Sequence, residues 1–221
     1  MKKVTVFIII LFTLIGITFF VSPYLKEYVM NKKINKVVAE IKKSDSETLK
    51  DNREKKQKEE EIIDLPSEYD VLKNINYTGN PVAYLFIPST ELELPIFSTV
   101  NNNNLLMGAG EMKKYDDLGK GNYALAGHRM KEKGLLFHDV ARLSIHDVIY
   151  VTDLDKVYKY VINRVRKVDE KDYFIIDDNG KDEITLITCD IPSKPESRVV
   201  ASGDLVEVFD YGTKDLKSVR K

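Results

Sequence analysis

In 221 residues, 34 Lys and Arg stand against 35 Asp and Glu for a formal charge of −1, so no net field draws this chain to nucleic acid or to an anionic surface. Its single cysteine excludes an intramolecular disulfide framework. What lies beyond residue 65 is a common size for one domain around one core.

The chain begins Met1-Lys2-Lys3, followed by Val4 to Ser22, 19 residues without a charge. At about 1.5 Å per residue this run matches a hydrocarbon core of about 30 Å. It exceeds the roughly 7–15-residue apolar stretch of a cleaved signal peptide, and no A-x-A-like site follows it. Residues 1–23 therefore read as an uncleaved signal anchor, a single transmembrane helix. Lys2 and Lys3 face Lys26, Lys32 and Lys33 across it, so charge sets the orientation only weakly. An N-terminus too short to be a domain favours the body outside.

Residues 24–65 are dense in both charges and contain neither Gly nor Pro. Ile34, Val37, Val38 and Ile41 fall at i, i+3, i+4 and i+7, a helical stripe, whereas Asp45 to Glu61 has little to bury. The expectation is a charged extracellular stalk, part helical and part disordered, with a specific partner for the stripe left open.

Pro66 opens the domain expected at 66–221. Ser67 to Ile75 suits a short helix. Strand-like segments then dominate: 82–87, 92–97, 122–126, 148–152, 157–165, 173–176, 184–189, 198–202 and 205–209. They are short, rich in Val, Ile and Tyr, and separated by turn signals such as Asn179-Gly180. Few of the intervening stretches are long and periodic enough for βαβ crossovers, which points to a mostly antiparallel barrel or sandwich. Leu105 to Met112 and Leu135 to Leu143 read as helical interruptions.

Cys189 closes an apolar, β-branched strand and Asp190 follows it. A lone thiol in an exported chain is a buried inert group, an intermolecular bridge or a nucleophile. A nucleophile needs help to become thiolate. Of the three histidines, His138 and His146 sit in ordinary-looking sequence, whereas His128 follows a strand through Gly127, where backbone can approach a ligand. Arg198 opens the strand after Cys189. Antiparallel pairing would set the two at one edge, and the planar guanidinium suits a developing oxyanion.

GNYALAGHR (121–129) and TLITCD (185–190), with Arg198 downstream, resemble the sortases, the thiol transpeptidases of Gram-positive bacteria, and class A most closely. VAYLFIPSTELELPIF (82–97), LLMGAGEMK (105–113) and LVEVF (205–209) extend the resemblance over roughly residues 70–210. It implies a mostly β fold, a closed antiparallel sortase-type β-barrel with short helices. It also implies that Cys189 attacks the Thr–Gly carbonyl of an LPxTG-type sorting signal, that His128 is general acid and base, and that Arg198 holds substrate carbonyls and the oxyanion. The Asp190 N–H joins the oxyanion hole by analogy, and Ala126, Ile187 and Thr188 fall at substrate-binding positions. The implied acceptor is an amine of lipid II or a peptidoglycan cross-bridge.

The chain departs from the family pattern in places. Some class A members bind Ca²⁺ through acidic residues before the histidine, but here that stretch reads EMKKYDDLGKGN. Lys113, Lys114 and Lys120 oppose a dication, so no metal and no cofactor are expected. Val168 to Lys171 replaces a proline-containing stretch of the substrate-covering loop. No second C-terminal apolar segment and no DPW/DPF-like lid point to a pilus-polymerising enzyme. A specialised or pilin-type sortase, a thiol protease using water, and a tethered non-enzymatic binding module are the alternatives.

Overall fold

The computed structural model describes residues 2–55, 77–113, 117–191 and 194–213. Within these, α1 (Lys2–Ile41) and α2 (Ser46–Glu54) precede eight strands: β1 (Pro81–Ile87), β2 (Leu92–Phe97), β3 (Ala109–Glu111), β4 (Asn122–Ala126), β5 (Val148–Thr152), β6 (Lys156–Asp169), β7 (Glu183–Ile191) and β8 (Lys194–Asp210). A short helix α3 (Asn102–Leu105) lies between β2 and β3. The strands close into a barrel in the order β1-β2-β3-β4-β7-β8-β6-β5. Val, Ile, Leu, Tyr and Phe from every strand except the short β3 fill it, with Leu85, Ile96, Phe97, Tyr123, Leu125, Tyr160 and Leu186 fully buried.

The expected β-rich barrel is present, but not every ladder is antiparallel: β2 pairs with β3, and β4 with β7, in parallel. The second pairing matters for function, because parallel neighbours end at the same edge. Several elements differ from the sequence reading. The 173–176 segment forms a 3-10 turn with Tyr173 and Phe174 exposed, since β4 beside it is already paired on both edges by β3 and β7. Segments 198–202 and 205–209 are one strand, β8; Gly203 carries it through, where a Cβ would stand 2.7 Å from the Val161 carbonyl oxygen. The 105–112 patch divides: Asn101 caps α3 by accepting from Asn104 N at 2.9 Å, and Ala109 to Glu111 turns extended as β3. In the 135–143 patch only Asp139–Arg142 coils, as a 3-10 turn. The helix expected at 67–75 lies outside the described residues.

α1 does not stop at residue 23. Its first half is exposed and apolar from Val4 to Ile17. Its second half buries Met30, Ile34, Val37, Val38 and Ile41 against the barrel, chiefly β2. The stripe expected on a stalk thus finds its partner within the chain, because covering those side chains removes apolar surface from water at about 25 cal/mol per Å². Among the described residues, no helix is long and apolar enough to cross a membrane.

Polar ties extend this docking to α2. Asp45 caps α2 by accepting from Thr48 N at 2.8 Å, Lys42 Nζ lies 2.6 Å from Glu93, and Asn52 donates to the Pro81 carbonyl at 2.9 Å. Arg53 grips Glu111 on β3 through two parallel bonds of 2.9 and 2.8 Å. The Tyr123 hydroxyl on β4 donates to the same carboxylate at 2.7 Å.

These contacts also give α1 a direction. Asn52 and Lys50 reach Pro81 and Asp155, at the end of the barrel where β1 begins. Asn31, Ile34 and Asn35 instead line a cavity of about 270 Å³ with Glu91 and the 134–136 segment, and Glu27 lies close enough to Glu132 to feel its charge. That is the end where β4 and β7 finish, so the exposed half of α1 leaves the barrel there.

Glu111 is 2 % exposed in its side chain and loses its cation if Arg53 is truncated. Arg53→Ala should lower unfolding free energy by about 3 kcal/mol, as expected when one partner of a buried pair is removed. Urea denaturation checks this, and Glu111→Gln in the Arg53→Ala background should restore part of the loss.

Candidate active site

β4 and β7 run side by side up to Ala126 and Ile187. Two further bonds continue the pairing past the ladder: Gly127 N donates to the Ile187 carbonyl at 3.1 Å, and the buried Thr188 hydroxyl donates to the Gly127 carbonyl at 2.9 Å. Gly127 is required by space, since a Cβ there would lie 2.5 Å from the Phe137 ring. His128 therefore emerges just past the end of β4, beside Cys189, which does not close its strand as expected but lies within β7 two residues before its end, just as Arg198 lies within β8 and does not open it. The 128–137 segment folds back as a hairpin, with Phe137 N donating to the His128 carbonyl at 2.9 Å and Arg129 bridged to Leu136.

Cys189 is half-buried and unpaired as a disulfide. The β7–β8 register sets it directly across from Arg198, whose Nη1 donates to Sγ at 3.4 Å. The other arm of that guanidinium stands 3.7 Å from Glu170 Oε2. This is the antiparallel juxtaposition that the sequence made a condition for Arg198 to act.

His128 is 6 % exposed, and its Nε2 has no hydrogen-bond partner among the described residues. Burial pushes the imidazole down to about 4, because a low-dielectric site disfavours the charged form. The other two histidines are accounted for differently. His138 is buried with Nδ1 2.7 Å from the Met130 carbonyl, and His146 sits exposed in a turn with φ 78°.

Among the expected substrate-binding residues, Ala126 is half-buried and Ile187 buried at the last rung of the ladder. Thr188 spends its hydroxyl on Gly127, as a strap between strands. Asp190 is half-buried, with its carboxylate 2.9 Å from Lys167 Nζ and 3.7 Å from Arg129 Nη1. Arg129, which the sequence reading passed over, contacts the Cys189 and Asp190 carbonyl oxygens. Its place immediately after His128 was the available signal. Asp178, a possible cation ligand, already accepts from Lys113 Nζ and Asn122 N, both at 2.8 Å. Asp116 lies outside the described residues, and among those described no group of three or more His, Cys, Asp or Glu could hold a metal ion.

A thiol with a guanidinium on one side and a buried neutral imidazole at the next strand end is equipped for acyl transfer: nucleophile, oxyanion donor and proton carrier. Comparisons with known proteins agree. Residues 85–206 match the sortase domain family. The chain belongs to the sortase family. It is 36% identical to sortase A of Listeria monocytogenes over 99% of this chain and 97% of that one, and 35% identical to sortase A of Bacillus anthracis over 93% and 96%. Among solved structures, Listeria monocytogenes sortase A superposes with a TM-score of 0.59 at 37% identity, covering 60% of this chain and 92% of that one. Sortase C1 of Streptococcus agalactiae gives 0.54 at 26%, covering 57% and 68%. The sortase is thus an enzyme, a cysteine transpeptidase of the class A kind.

The buried imidazole has a consequence for stability. An unfolded His128 takes a proton near its ordinary value of 6.5, and the folded one only near 4. Between these values the unfolded chain binds more protons, so stability present above about pH 6.5 is lost as pH falls toward 4. His128→Asn should reduce that loss by roughly 1–3 kcal/mol, read from urea unfolding at several pH values. Parallel pH profiles for parent and variant would refute the assignment.

Proposed function

We propose that the sortase cleaves an LPxTG-type sorting signal between Thr and Gly and transfers the resulting acyl group to an amine of a peptidoglycan precursor such as lipid II. The observation that carries this reading is Arg198 Nη1 donating to Cys189 Sγ at 3.4 Å across the β7–β8 ladder, beside the strand end that bears His128.

In the first half-reaction the Cys189 sulfur bonds to the Thr carbonyl carbon as its thiol proton passes to His128, and the carbonyl electrons move onto the carbonyl oxygen. Arg198 stabilises that oxyanion. Collapse breaks the C–N bond, and His128 supplies the proton that lets glycine leave as an amine. A thioester remains. In the second half-reaction the acceptor amine attacks the thioester carbonyl and gives a proton to His128, the C–S bond breaks, and the departing Cys189 sulfur takes that proton back as a thiol. An imidazole held near 4 is a strong acid once protonated, which suits proton donation to a departing nitrogen. Water competes with the amine and yields hydrolysed product instead.

Residues 1–23 serve as the anchor in this reading and the barrel lies outside the cell membrane. The uncharged 4–22 run and the exposed apolar side chains from Val4 to Ile17 on α1 support it. Residues 24–65 join the anchor to the catalytic domain at 66–221, and Ala126, Ile187 and Thr188 border the groove for the signal.

The deciding experiment incubates the enzyme with LPxTG-type peptides and an amine, and follows both cleavage and ligation. Cys189→Ala should abolish both, since no other thiol exists to form the thioester. Ligation by that variant would overturn the mechanism, and turnover on other pentapeptides alone would redirect it to a specialised signal.

Arg198→Lys keeps the charge but loses the fork. Loss of an oxyanion donor costs about 10²–10³ in rate, and a fall of that size is expected in kcat, with Cys189 still open to alkylation and the melting temperature close to the parent's. Near-parental turnover would return Arg198 to a purely structural part.

A further inference from the structure

The peptide that joins Cys189 to Asp190 is gripped by a residue outside the expected catalytic set. Arg129 Nη1 donates to the Cys189 carbonyl oxygen at 3.4 Å and to the Asp190 carbonyl oxygen, and lies 3.7 Å from Asp190 Oδ1. Lys167 Nζ holds the other carboxylate oxygen at 2.9 Å. The β7–β8 register shifts between Cys189 and Ile191, and Asp190 is the residue it leaves without a partner. A ladder broken in this way does not by itself fix the peptide's tilt. The clamp does.

In a trans peptide the carbonyl oxygen and the N–H of the following residue point to opposite sides of one plane. A cation fixed on the Cys189 oxygen thereby fixes where the Asp190 N–H is aimed, and polarises that N–H as a donor. Arg129 is itself held: its backbone bridges Leu136, its neighbour His128 accepts from Phe137 N, and its side chain is 19 % exposed.

We propose that Arg129 is a positioning residue that orients the Cys189–Asp190 peptide, so that the Asp190 N–H donates to the oxyanion formed when the Cys189 thiolate attacks the substrate carbonyl. This rests on the reading of Cys189 as nucleophile. Arg129 binds backbone oxygens and the Asp190 carboxylate, not substrate, and acts through the peptide it holds. Two donors then converge on the oxyanion, the Asp190 N–H and the Arg198 fork.

The test separates acyl transfer from plain thiol chemistry. Alkylation of Cys189 by iodoacetamide forms no oxyanion, so it reports on the thiol and not on the hole. With an LPxTG-type peptide and an amine, Arg129→Gln should lower kcat by about 10²-fold, as for a lost oxyanion donor, with KM and the alkylation rate near the parent's. Arg129→Lys preserves charge without the fixed planar direction of the guanidinium N–H and should fall between the parent and Arg129→Gln; it carries the test if Arg129→Gln melts early. Alkylation slowing in step with turnover, or near-parental kcat in Arg129→Gln, would each overturn the proposal. Retention of ligation by Cys189→Ala would instead remove the underlying reading of the site.

Discussion

The site depends on one pairing, the parallel ladder between β4 and β7. Antiparallel neighbours would carry the residues after Ala126 and Ile187 to opposite ends of the barrel, whereas parallel ones release Gly127-His128 and Thr188-Cys189 together. The Thr188 hydroxyl and Gly127 N–H lengthen that alignment past the last rung. β8, antiparallel to β7, then returns Arg198 to the same edge. Three strands with two relative senses are thus enough to gather the thiol, imidazole and guanidinium. The close approach of Phe137 to Gly127 turns the chain so that His128 is buried as it leaves the strand.

Much of this was legible in the sequence for identifiable reasons. Strands β1, β2, β4, β5 and β7 announce themselves through β-branched or aromatic residues between turn signals, and Cys189 and Arg198 were expected at facing strand ends, whereas both lie inside strands that run on to Ile191 and back to Lys194. The parallel sense of β4 against β7 was not legible, because relative direction depends on the chain between them and not on either strand's own residues. The 173–176 segment has strand chemistry but no partner edge, so its aromatics stay exposed. β3 hid inside a Leu-rich patch because its three residues form a strand only where β2 and β4 offer edges. The family resemblance supplied the roles of His128 and Arg198, which spacing alone left open.

The charged segment after the apolar run shows another limit. Its stripe of Ile34, Val37, Val38 and Ile41 declared an apolar face without declaring its partner, and that partner is the barrel's own outer surface. Arg53 was unreadable as a structural residue, since Glu111 and Tyr123 lie far from it in sequence. Their shared carboxylate couples α2 to the start of β4, so the preceding helices reach the same strand whose far end bears His128.

On the proposed anchoring, the direction of α1 would govern how the enzyme meets its substrates. The helix leaves beside Glu91 and the 134–136 segment, at the catalytic end. With its first half seated in a bilayer as proposed, the mouth faces the lipid headgroups. From Ser22 to Glu27, at about 1.5 Å per residue, the standoff is only about 8 Å. A signal peptide still in the membrane and a lipid-borne amine then share one plane with the thiol, and encounter becomes lateral diffusion at a fixed height. Anchored in that way, the helix would act as a stiff post, raising effective concentration as a short rigid linker does, and would leave the opposite end of the barrel turned away from the bilayer.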